Sequence, residues 1–233
     1  MGAEPRMTAA AALGVTELRD RLASGALDAL ALVESYIARI EAREEVVGAW
    51  AWFDPEFARA QARTLDSYRR AGRPLGRLHG LPVGLKDVID TRSIPTENGA
   101  AQDKGRVPLR DAFIVERLKA EGAIIMGKTV TTELAFMHPG KTSNPHNPAH
   151  SPGGSSQGSA AAVADGMVPL AISTQTGGGD PACVLLWGHR VQTDFRRDPA
   201  PRGADAVTLA RHRRCLCQRS RRCGAAGRGA FWS

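Results

Sequence analysis

The chain has 233 residues, 42% of them hydrophobic, with 31 Lys+Arg against 24 Asp+Glu for a formal charge of +7. That composition excludes a disordered polymer, and no window reaches the roughly 18–20 apolar residues that a bilayer-spanning helix needs. The charge is uneven: residues 1–179 hold 20 basic and 20 acidic side chains, whereas residues 180–233 hold 11 Arg, 4 Asp and all four cysteines.

The N-terminus, MGAEPRMTAAAALG, lacks a basic segment ahead of a long apolar run, and Arg6 sits where myristoylation wants Ser or Thr. A cytoplasmic address is therefore expected. From Thr16 to about Ala71 the text reads as helical, with Leu30, Val33, Ile37 and Ile40 forming one apolar stripe. Within it, the apolar and aromatic run Val46–Phe53 predicts a strand. Asp54-Pro55-Glu56 predicts a helix start: a cap, a proline in the first turn and an acid near the positive end of the dipole. That helix should reach Arg70 and stop before Gly72 and Pro74.

From Leu81 the rhythm alternates between strand and helix. Leu81–Lys86 reads as a short strand. Asp111 is placed to cap a helix carrying Phe113, Ile114, Val115 and Leu118, closing at Gly122. Ala123–Met126 reads as a buried strand from which Gly127-Lys128-Thr129 turns away, and Thr131–Met137 as a short helix. A loop with four prolines fills Pro139 to Pro152, followed by a Gly/Ser turn at Gly153–Gly158, a helix over Ser159–Gly166 and a strand over Val168–Thr174. The alternation implies an α/β fold with a largely buried sheet.

Two segments carry chemistry. Lys86 ends an apolar strand, where desolvation favours a neutral amine able to accept a proton. The alternative is a lysine that snorkels or pairs with Asp87. Ser151-Pro152-Gly153-Gly154-Ser155-Ser156-Gln157-Gly158-Ser159 could cradle an anion through backbone N–H groups, but it lacks the spacing and lysine of a nucleotide P-loop. Alone it reads as a turn.

Taken together, GLPVGLKDVIDT, GKT and SPGGSSQGSAAAVADGMVPLAISTQTGG resemble the amidase signature family, from about Leu18 to Gly178. The resemblance implies a mixed sheet surrounded by helices and a C–N hydrolase with a Ser–Ser–Lys triad. It assigns the proton-accepting lysine to Lys86 and the bridging serine to Ser155, which in the family follows a cis peptide bond. Backbone N–H groups of Thr176, Gly177 and Gly178 would form the oxyanion hole. The carboxamide would become a carboxylate plus ammonia or an amine through a seryl acyl-enzyme, with no cofactor and no metal. The expected partner is a small amide, with no membrane and no specific nucleic acid. The family leaves a homodimer open for an intact enzyme. A glutaminase (A-type) subunit of a tRNA-dependent amidotransferase is the alternative, against which Gln175 weighs, since such subunits more often carry Asp there.

The family's nucleophile lies 24 residues after the bridging serine, and that position is Gly179. Glycine cannot form the acyl-enzyme, so this chain is expected to be inactive. Composition changes at the same residue. Back-translated and read one base forward, Gly179–Phe195 permits VIRPASFCGVIGFKPTF and Leu209–Cys217 permits SLDTVGVFA, both family-like continuations. A serine codon missing two bases would join the frames. The sequence thus divides into an N-terminal extension (1–15), the N-terminal part of an amidase-signature domain (16–179) and an Arg/Cys-rich tail (180–233) that is expected to be irregular and out of frame. Such a half-sheet would expose a strand edge and favour aggregation.

The competing class is a binding module in the tail. The spacing of Cys215, Cys217 and Cys223 is not the paired C-x₂-C of zinc sites. The arginines would give only salt-sensitive, non-specific nucleic-acid binding.

Overall fold

The computed structural model describes residues 13–175, 189–192 and 206–211. Two helices open the chain, α1 (Val15–Ser24) and α2 (Ala29–Val47). Val33, Ile37 and Ile40 of the predicted stripe are buried, and Leu30 packs at the margin of the core. The start of α2 is capped from a distance: the buried Asp66 carboxylate accepts from the N–H groups of Ala29 and Leu30, at 2.8 and 3.0 Å. Helix α2 runs on through Val46 and Val47 to a left-handed Gly48, so the predicted strand shortens to β1 (Trp50–Phe53). The carboxylate of Glu44 accepts from the N–H groups of Ala49 and Trp50 and turns the chain there.

Helix α3 (Pro55–Arg70) keeps the predicted bounds. Asp54 Oδ1 accepts from the N–H groups of Glu56 and Phe57, as its position before Pro55 requires. Strand β2 (Pro82–Lys86) also agrees. Helix α4 (Phe113–Ala120) forms, but Ala112 occupies its cap position. Asp111 instead accepts from the Arg92 N–H and from Lys119 Nζ, tying the preceding loop to the helix.

Strand β3 (Ile124–Thr129) continues through Gly127-Lys128-Thr129, where the sequence predicts a turn. Pairing on both sides holds it extended: parallel to β2 and antiparallel to β1. Residues 131–137 are not a regular helix. A single 3₁₀ turn covers Glu133–Ala135, with Leu134 and Ala135 both at positive φ. Helix α5 (Gln157–Ala164) and strand β4 (Leu170–Gln175) follow, β4 parallel to β2.

The expectation of an irregular tail is corrected for ten residues. The backbone forms β5 (His189–Gln192) and β6 (Ala206–Arg211), and β6 pairs antiparallel with β4. The edge of β4 is thereby covered. The sheet order is β1-β3-β2-β4-β6-β5, a mixed sheet. Helix α3 packs on β3 and α2, and α5 lies across β2, β3 and β4. Among the described residues, no helix is long and apolar enough to cross a membrane.

Candidate active site

Strands β2 and β4 run parallel, so their carboxyl ends lie on the same side of the sheet. In open α/β sheets that end is where ligands bind. Lys86 closes β2 there, and Thr174 lies near the end of β4. The Gly/Ser loop ahead of α5 brings Ser155 to both.

Lys86 Nζ donates to Ser155 Oγ at 2.7 Å and to Thr174 Oγ1 at 2.7 Å. Lys86 is fully buried, and Ser155 retains 7% exposure. The Gly154–Ser155 peptide bond is cis. Ser155 is fixed through its backbone, its carbonyl accepting from the Thr132 N–H at 2.9 Å. Ser156 Oγ donates to the Thr174 carbonyl at 3.0 Å, which ties the loop to β4. Thr129 and Ser159 share a hydroxyl hydrogen bond of 2.6 Å, joining β3 to α5.

Small residues let α5 approach this closely. A Cβ on Gly158 would lie 2.3 Å from the Ala49 carbonyl oxygen and 2.4 Å from the Val130 nitrogen. The Gly158 N–H in turn donates to the Val130 carbonyl at 2.9 Å.

The predicted alternative for Lys86, a pair with Asp87, is not what Asp87 does. Asp87 lies 3.5 Å from Lys128 Nζ, and its other oxygen accepts from the Glu97 N–H at 3.2 Å. Neighbouring residues on a strand face opposite ways. Thr129 therefore reaches α5, while Lys128 reaches the Ile89 carbonyl and Thr96 Oγ1, each at 2.6 Å. Burial pushes the Lys128 ammonium down to about 8, against the pull of Asp87. Burial likewise raises the Asp87 carboxyl, against the pull of Lys128.

Of the residues singled out in the sequence, Lys86 and Ser155 are brought together. Thr176, Gly177, Gly178 and Gly179 lie outside the described residues, as do Cys183, Cys215, Cys217 and Cys223. Sequence reasoning missed Thr174 and Lys128. A threonine in a strand gives no local signal. Lys128 is hidden when Gly127 is read as a turn.

The buried lysine bonded to a serine hydroxyl thus lies at the carboxyl ends of parallel strands of a mixed α/β sheet. The family model for amidases matches residues 31–179, and the chain belongs to the amidase family. Among curated relatives, the A-type subunit of glutamyl-tRNA(Gln) amidotransferase from Streptomyces coelicolor is 43% identical over 180 residues, covering 74% of this chain and 36% of that protein. Its counterpart of the same name from Chloroflexus aurantiacus is 42% identical over 172 residues, covering 71% of this chain and 35% of that protein. Among solved structures, the native peptide amidase from Stenotrophomonas maltophilia superposes with a TM-score of 0.67 at 37% identity, covering 71% of this chain and 37% of that one. The chain thus spans little more than a third of the length of these relatives.

Proposed function

We propose that this chain carries the proton-relay part of an amidase-type C–N hydrolase site and, with glycine at 179, hydrolyses no amide by itself. The 2.7 Å hydrogen bond between Lys86 Nζ and Ser155 Oγ carries this reading. In the intact arrangement, Lys86 accepts a proton from Ser155, which takes one from the nucleophilic serine expected at 179. That serine attacks the amide carbonyl, and the backbone N–H groups of Thr176, Gly177 and Gly178 hold the oxyanion, each such donor contributing about 2.7–4 kcal/mol. The relayed proton passes to the leaving amine, and water then releases the carboxylate.

A lost reading frame accounts for Gly179. The family match ends at residue 179, where the composition also changes, and that coincidence supports the reading. The test has two arms. Ammonia release from primary carboxamides, peptide amides and glutamine is measured for the chain as it stands and for a gene with two bases restored at codon 179. The first is expected to be silent, and the second active and dependent on Lys86 and Ser155. Turnover by the unrestored chain that Ser155→Ala abolishes overturns the reading. An undisturbed nucleotide sequence around codon 179 removes the frame argument.

The second reading, a glutaminase subunit, is favoured by the names of the curated relatives. The restored protein separates the two: glutamine as the preferred amide supports the glutaminase, whereas broad turnover of small amides supports a stand-alone enzyme.

A further inference from the structure

We propose that Ser155 is itself a nucleophile in this chain, forming with Lys86 a serine–lysine dyad that takes an acyl group from activated carboxylic esters. The proposal rests on the proton-relay reading of Lys86 and Ser155.

The geometry of a dyad is complete without position 179. Lys86 Nζ sits 2.7 Å from Ser155 Oγ, within the range for direct proton transfer. Thr174 Oγ1 holds the amine from a second direction, and the Thr132 N–H holds the Ser155 carbonyl, so neither partner needs to be positioned by a substrate. Ser155 keeps 7% of its surface in contact with solvent, whereas Lys86 behind it has none. Of the two residues, Ser155 is the one that reaches solvent. The neighbouring hydroxyls are committed: Ser156 Oγ donates to the Thr174 carbonyl and Ser159 Oγ is bonded to Thr129, and both residues are fully buried.

In an arrangement with serine at 179, a proton leaving Ser155 is replaced from that hydroxyl. Glycine at 179 has no proton to give. Deprotonation by Lys86 then leaves the electron pair on Ser155 Oγ. That oxygen attacks the ester carbonyl, the new C–O bond forms as the bond to the aryloxide breaks, and the aryloxide departs as a stable anion. The proton remains on Lys86 Nζ. An amide nitrogen must take a proton before it can leave, whereas an aryloxide departs as an anion without one. Activated esters are therefore the readier acyl donors.

The full chain is incubated with 4-nitrophenyl acetate, and acetylated peptides are mapped by mass spectrometry. One acetyl group on Ser155 is expected, formed about a hundredfold more slowly in Lys86→Met. It should be absent in Ser155→Ala and restored as a thioester in Ser155→Cys, with circular dichroism confirming that each variant is folded. A folded chain without acetyl on Ser155, or with labelling unchanged by Lys86→Met, overturns the proposal. Failure of labelling while amides remain uncleaved leaves the relay reading standing. Amide turnover by the chain sinks the relay reading instead.

Discussion

Lys128 Nζ lies 3.5 Å from Asp87 Oδ1, with both side chains sealed from solvent. Its short hydrogen bonds go to the Ile89 carbonyl and Thr96 Oγ1, and among the described residues Asp87 Oδ1 accepts none. The lysine therefore compensates the carboxylate through charge alone while bracing the loop that follows β2. Removing it strands a buried charge. Lys128→Met is expected to destabilise the fold by about 3–5 kcal/mol, and Asp87→Asn in the same chain to recover part of that. Urea unfolding of the two variants, read by circular dichroism, measures both.

The same pair sets a pH dependence. Burial holds the Lys128 ammonium at about 8 in the fold, against an ordinary value of 10.5. Between those values the unfolded chain binds more of this proton than the native one, so stability rises with pH across the window. Below about 8 both states are protonated, and the cost of burying the charge is fully present. The urea midpoint of the wild type should thus climb relative to that of Lys128→Met from about pH 8 upwards. Parallel midpoints for the two proteins would refute it.

Local chemistry makes some elements legible. Asp54-Pro55 fixes the start of α3 because cap and proline act within three residues, and the helix keeps the bounds they predict. The apolar run at Leu81–Lys86 marks β2 for the same reason. Elements decided by distant partners are not legible. Gly127-Lys128 reads as a turn until β1 and β2 pair on both sides of it. Val46 and Val47 have strand character, yet the helix keeps them until Glu44 turns the chain. In the site, Lys86 and Ser155 are identified through family resemblance, since 69 residues separate them. Thr174 shows its role only once β4 lies beside β2.

Gly158 sets how closely α5 approaches the sheet. A methyl group there would meet backbone atoms of Ala49 and Val130 at 2.3 and 2.4 Å, and backbone cannot rotate out of the way. Gly158→Ala should therefore cost at least about 1–3 kcal/mol, as overpacking does, and pull Ser155 away from Lys86. Gly14→Ala is the control, since nothing lies within 4 Å of its added carbon. Thermal unfolding of the two variants should separate them clearly; equal midpoints would mean that α5 seats further from β3.

Thr174 joins stability to chemistry. Its hydroxyl accepts from Lys86 Nζ at 2.7 Å, the same distance at which that amine meets Ser155 Oγ. Thr174→Val keeps the volume and the β-branch but removes that acceptor. A buried donor that loses an acceptor costs about 1–3 kcal/mol, so the urea midpoint should fall by a matching amount. The amine is then held from one side fewer, and acetylation of Ser155 by 4-nitrophenyl acetate should slow in the same variant. Thr174→Ser returns the oxygen without the methyl group and should recover the labelling rate more fully than the stability. If stability falls while labelling does not, Thr174 supports the strand and does not position Lys86.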